Sequence, residues 1–234
     1  MATKLDKVEV VTVGVGWSGG IIAAELSKAG KQVLGLERGE ERTTEDFASK
    51  HDELLYVQRQ ELMYKPSDLT VTVRNNLSET AKPVRDPMGI QIGTDLGGGG
   101  LHWGAQTHRY FPYDFEIVTK TKEKYGDDKI PDDMPLQDWG ITYDELEPYY
   151  DKFEKTMGIS GERNDFEPPR ENNYPTPPLK RTKAMSLFKE AAENLGFHPY
   201  SVPSGTVSEE YTNPDDQTLN ACQYNGYCTF YACE

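Results

Sequence analysis

Runs of apolar residues with period close to one or two alternate with stretches of helical period along the first forty residues. Val8 to Val13 is a nearly continuous β-branched run, which predicts a buried parallel strand. Gly19 to Ala29 carries Ile22, Ala23 and Leu26 at helical spacing, with Gly30 placed to stop the helix. Gln32 to Leu36 is again strand-like and ends at Glu37. Strand, glycine turn, helix, strand and acid make one βαβ unit. Further on, residues 44–63 predict a helix with Phe47, Leu54, Leu55 and Leu62 toward a core. Leu69 to Val73 alternates with period two and predicts a half-buried strand. Thr142-Tyr-Asp-Glu145 is a capping box opening a helix through Met157, with Pro148 inside as a source of a kink or a late start. Residues 167–178, rich in proline and asparagine, predict an extended loop. An amphipathic helix follows, with Ala184, Leu187, Phe188, Ala191, Ala192 and Leu195 on one stripe and Gly196 at its end.

The turn inside the βαβ unit reads Gly14-Val-Gly16-Trp-Ser-Gly19. Gly14 permits the tight turn, Gly16 the approach of a pyrophosphate, and Gly19 close helix–strand packing. The helix N-terminus then offers amides and partial positive charge to phosphate. Glu37 stands 18 positions beyond Gly19, where an acid accepts from a ribose diol. The motif serves NAD and FAD alike. A second glycine run, Gly97-Gly98-Gly99-Gly100, followed by Leu101-His102-Trp103-Gly104, leaves a backbone without side chains to hold a ligand away. Two separated glycine segments suggest one large ligand gripped twice, and FAD is the natural candidate. Glu37-Arg38-Gly39 resembles flavoproteins more than nicotinamide dehydrogenases.

Length, 234 residues, allows one substantial domain with a smaller appendage. A formal charge of −14 argues against a nucleic-acid surface, which needs a basic patch. No stretch approaches the ~20 apolar residues of a membrane span. The first residues lack the apolar region and cleavage site of an export signal. The three cysteines, Cys222, Cys228 and Cys233, cluster at the end with spacing C-x5-C-x4-C. An odd, clustered set makes a poor disulfide framework and a better metal-site candidate. Iron–sulfur ligation and three thiols without metal both remain open, and zinc, which prefers four ligands, fits less well. Because the chain stops inside this cluster, a truncated chain is expected.

Gly14 to Gly20, Glu37-Arg38-Gly39 and Leu96 to Trp103 together resemble the glucose–methanol–choline oxidoreductases, and among them the flavoprotein subunits of gluconate 2-dehydrogenase type. Gln137 to Tyr150, Tyr174-Pro-Thr-Pro-Pro178 and the cysteine segment extend the likeness over essentially the whole chain. The resemblance implies an α/β fold. A FAD-binding Rossmann-like βαβ domain would carry part of an α+β substrate domain. We divide the chain into 1–160 for the FAD-binding part, 161–180 for a proline-rich linker and 181–234 for a continuation with helix and cysteine segment. It further implies FAD held by Gly14, Gly16, Gly19, Glu37, Arg38, Gly97, Gly98, Gly99, Gly100, His102 and Trp103, with His102 matching a position that is covalently joined to flavin in some members. A three-iron, four-sulfur cluster on Cys222, Cys228 and Cys233 is implied by related sugar dehydrogenases, although their second spacing is three and not four. The implied reaction oxidises a CH–OH group of a sugar acid, polyol or sugar, with hydride to flavin N5 and electrons to an acceptor other than NAD.

The family's catalytic histidine lies in a C-terminal half. His51, His102, His108 and His198 do not match it, so no catalytic base is assigned, and this chain alone is expected to be inactive. Implied partners are a small export-carrying subunit and a cytochrome subunit, with a periplasmic, membrane-associated location through them and a cytoplasmic one as the alternative. A soluble flavin oxidase or sugar dehydrogenase without a cluster, and a non-catalytic cofactor-binding fragment, stand as rival readings.

Overall fold

The computed structural model describes residues 4–43, 70–84 and 93–224, apart from the side chain of His102. The helix expected over 44–63, Leu69, Cys228 and Cys233 lie outside these residues. The chain forms two compact units, one of residues up to 75 and 79–104, the other of 76–78 and 105–224.

In the first unit, β1 (Val10–Val13) pairs in parallel with β2 (Val33–Leu36), in the register Val10↔Val33 to Val13↔Leu36. The connection is α1 (Trp17–Lys28). Its end is a Schellman turn. Gly30 sits at φ +81, its N–H donates to the Ser27 carbonyl, and the N–H of Lys31 donates to that of Leu26. The βαβ unit read from the sequence is therefore present. Its burial differs from expectation. Of β1 only Thr12 is buried, Val13 is 87% exposed, and Ile21 and Ile22 of α1 are about half exposed. A parallel strand is buried on both faces only when layers cover both. Among the described residues a single helix packs on this pair.

The alternating segment yields only β3 (Thr72–Val73), paired antiparallel with β4 (Lys82–Pro83). All four residues are exposed, against the half-buried strand expected. Two-residue strands with lysine and proline on one side present no apolar face to bury.

The regular structure of the second unit is mainly helical, with α2 (Pro112–Phe115), α3 (Ile117–Tyr125), α4 (Tyr143–Met157) and α5 (Lys183–Asn194). A short hairpin adds β5 (Tyr211–Thr212) and β6 (Thr218–Leu219). The capping box forms as expected. Thr142 Oγ1 accepts from the N–H of Glu145 at 3.3 Å, and Glu145 Oε2 accepts from that of Thr142 at 2.9 Å. Helix α4 opens at once and runs past Pro148 to Gly158, whose φ of +66 ends it. Phe115, Tyr143, Ile159 and Val207 are the buried apolar residues of this unit.

Beside them lies a buried charge cluster. Arg109 donates from Nε and Nη2 to the two oxygens of Glu154, both at 2.8 Å. Arg170 grips the same carboxylate from Nη1 and Nη2, both at 3.1 Å, and stacks its guanidinium 3.6 Å from the Tyr174 ring centroid. Desolvation opposes the charge of Arg109, but hydrogen bonds to Glu154, Glu147 and Tyr143 outweigh it and raise its pKa. The proline-rich stretch is irregular, as predicted, and Arg170 and Thr176 within it are buried. The apolar stripe of α5 is not: Leu187 and Phe188 are exposed.

Candidate dinucleotide site

The first unit brings the two glycine motifs side by side. β1 delivers Gly14 into a turn at φ +91, where its N–H donates to the Leu36 carbonyl at 2.7 Å. Gly16 follows in extended conformation as the N-cap of α1, and no side chain caps that helix. The helix N-terminus therefore presents main-chain amides rather than a serine or aspartate oxygen, the arrangement that suits an anion. Gly19 is needed for packing, since a methyl group there would overlap the carbonyl oxygen of Gly14.

The second motif lies along the first. The N–H of Gly97 donates to the Val15 carbonyl at 2.9 Å, making a parallel bridge between Gly16 and Gly97. The N–H of Leu96 donates to the Glu40 carbonyl at 2.9 Å. Gly97, at φ +99, then turns the chain into a short 3-10 helix, Gly98–His102. Glycine at 39 lets this strap close, because a methyl group would overlap the carbonyl oxygen of Thr94. Methyl groups at Gly14 and Gly99 would meet no other atom within 4 Å, so the cradle stays open at those positions. Trp103 meets Trp17 edge to face, ring centroids 4.8 Å apart.

Glu37 is held by the loop it leads into. Its Oε2 accepts from the N–H of Val15 at 2.7 Å, and Oε1 accepts from those of Arg38 at 2.8 Å and Gly39 at 3.0 Å. The Val15 amide, followed by that of Gly39, holds this carboxyl below its ordinary pKa. A carboxylate offers about four lone-pair sites. Three serve the loop, which leaves room for one further donor. Arg38 contributes its N–H, while its side chain is exposed.

One feature of this unit was missed in the sequence. Asp95, 5% exposed, is ion-paired with Arg42: Nε approaches Oδ2 to 3.1 Å without a hydrogen bond, and Nη2 donates to Oδ1 at 3.4 Å. A pair separated by 53 positions leaves no periodic trace.

His102 lies in the 3-10 helix by its backbone. His108 lines a cavity of the second unit, and His198 meets Phe166 at a tilt of 38°, centroids 5.1 Å apart. Cys222 is a half-buried free thiol whose Sγ accepts from the N–H of Tyr224 at 3.4 Å. Among the described residues no three metal-ligating side chains gather, and no helix is long and apolar enough to cross a membrane.

With this geometry in place, comparison with known proteins gives the class. The chain belongs to the glucose–methanol–choline oxidoreductase family. Along its whole length it is similar to the gluconate 2-dehydrogenase flavoprotein of Pantoea cypripedii, 39% identical over 250 residues that cover 100% of this chain and 41% of that protein. The fructose dehydrogenase large subunit of Gluconobacter japonicus is 28% identical, covering 90% of this chain and 39% of its own. The 2-methyl-1,2-propanediol dehydrogenase of Mycolicibacterium austroafricanum is 31% identical, covering 85% and 33%. The chain thus spans well under half the length of these relatives. A crystal structure of formate oxidase covers 70% of this chain and 24% of its own at 20% identity, with a TM-score of 0.34. No protein-family model matches the chain.

Proposed function

We propose that this sequence is the cofactor-cradling part of a FAD-dependent dehydrogenase that oxidises a CH–OH group of a sugar acid, polyol or sugar, in the manner of gluconate 2-dehydrogenase. The observation that carries the proposal is the main-chain register of Gly16 on Gly97. It sets an uncapped helix N-terminus beside a side-chain-free second segment, as an extended dinucleotide requires. Bound there, FAD would supply a hydride acceptor, and a base not assigned among these residues would take the substrate's hydroxyl proton. The amides opening α1 would neutralise the pyrophosphate. Glu37 would use its remaining acceptor site for one ribose hydroxyl, while its other bonds keep the loop closed. Gly97 to Gly100 would let the backbone approach the ring system, with Trp103 as a wall and His102 as the point of covalent attachment.

Cys222, Cys228 and Cys233 would hold a three-iron, four-sulfur cluster. Electrons would leave to a non-NAD acceptor, with an export-carrying subunit and a cytochrome as partners in the periplasm. The name of the fructose dehydrogenase large subunit, which implies a multisubunit enzyme, supports the partner part of this reading.

The test uses the polypeptide at its full natural length, purified without oxygen and mixed with gluconate, fructose, a 1,2-diol and ribitol in turn. Bleaching of flavin absorbance by one of these, and its return with a quinone or cytochrome c, is the predicted result. Return with oxygen at the same rate would identify an oxidase instead. Absence of flavin would end the proposal.

A further inference from the structure

We infer that Arg42 and Asp95 are positioning residues: an ion-pair clamp that holds the second glycine segment against the first before any cofactor binds. The inference rests on the FAD reading above for its functional consequence, though not for its geometry. Asp95 immediately precedes Leu96 and Gly97, whose amides make the two main-chain bonds tying the second segment to Glu40 and Val15. Its own carbonyl accepts from the N–H of Gly98 at 2.8 Å, at the start of the 3-10 helix. The backbone of Asp95 thus sits at the turn that aims Gly97 to Gly100. Its side chain is 6% exposed and faces the guanidinium of Arg42, itself 24% exposed. Burying a carboxylate without an opposite charge beside it is costly, and Arg42 supplies that charge.

Arg42 belongs to the strand-exit segment that also contains Glu37, Gly39 and Glu40. Arg42 to Asp95 and Glu40 to Leu96 therefore form two parallel fastenings between the same two segments, one ionic and one main-chain. Gly39 and Thr94 touch between them closely enough that any side chain on residue 39 would force them apart. Glycine-rich backbone is the most costly to order. A clamp at its entry reduces the freedom that a ligand must otherwise remove on binding. An ordinary surface pair would lack the burial of Asp95 and its place at the turn.

The test compares Arg42→Met, Asp95→Leu, the double variant and the exchanged pair Arg42→Asp/Asp95→Arg in the full-length polypeptide. Amide hydrogen exchange is read without ligand at Leu96 to Gly98, and FAD affinity by flavin fluorescence in a His102→Ala background, where binding is reversible. In each single variant, exchange at these amides should rise about tenfold or more while α1 is unchanged. FAD affinity should fall about tenfold in each, with the double variant no worse than either, as expected for a coupled pair. The exchanged pair should recover both readouts. Unchanged exchange at Leu96 to Gly98, or equal loosening of α1, overturns the clamp. Loosening with FAD affinity intact overturns its positioning role. If the unaltered protein binds no FAD, the proposed function fails and the exchange data alone decide the clamp.

Discussion

Glu37 shows how one side chain can hold a loop closed and still keep an acceptor site to spare. Its carboxylate gathers the amides of Val15, Arg38 and Gly39, and its pKa is lowered from 4.5 as a result. A depressed carboxyl pKa stabilises the folded state fully above the unfolded value and loses that effect as pH falls through the folded value. Glu37→Gln should therefore lower the melting temperature at neutral pH, with the gap to the unaltered protein closing below about pH 4. A gap independent of pH between 3 and 7 would contradict the charge-based account.

Two neighbouring glycines in α1 make a sharper contrast. Gly19→Ala drives a methyl group into the Gly14 carbonyl and should cost about 1–3 kcal/mol. Gly20→Ala meets open space in the same helix and should stabilise by about 0.5–1 kcal/mol. Urea unfolding of the pair reads both signs, and equal effects would refute the packing argument. Gly14 and Gly19 were legible because Gly14 takes a positive φ and a side chain at 19 would meet the Gly14 carbonyl, whereas Gly16 sits in ordinary extended backbone that any residue adopts. The closure of Glu37 onto the loop was not legible, since an acid at a strand end is compatible with either partner.

At the scale of elements, local chemistry was read well and burial poorly. Thr142 and Glu145 specify the start of α4 through atoms three residues apart, so the helix began where the capping box put it. Removing the cap in Thr142→Ala should cost about 1 kcal/mol. The Arg109–Glu154–Arg170 cluster had no sequence signal, because its members are 45 and 16 positions apart. Glu154→Gln leaves two buried guanidinium groups facing a neutral amide and should destabilise by about 3–5 kcal/mol. Chemical denaturation of these two variants orders the effects. A loss in Glu154→Gln no larger than in Thr142→Ala would show that Glu147 and Glu167, not Glu154, balance the arginines. The stripe on α5 illustrates the limit of periodicity: it specifies which face is apolar, not what lies over it.

For the molecule as a whole, the parallel βαβ unit and helices α4 and α5 follow from pattern and capping, while α2 and α3 do not. The adjacency of the two glycine motifs does not. It depends on main-chain bonds between residues about eighty positions apart, and only the shared demand of one extended ligand hinted at it. That adjacency is also the basis of the functional account. The direct test is a visible absorption spectrum of the anaerobically purified full-length protein, before and after acid precipitation, with iron analysis. The account predicts flavin bands near ~370 and ~450 nm, from a cofactor held in the cradle. Yellow colour in the acid pellet would show covalent flavin, as expected for His102, and about three irons per chain would fit a cluster on the three cysteines. A colourless protein that takes up no FAD on addition would contradict the central claim.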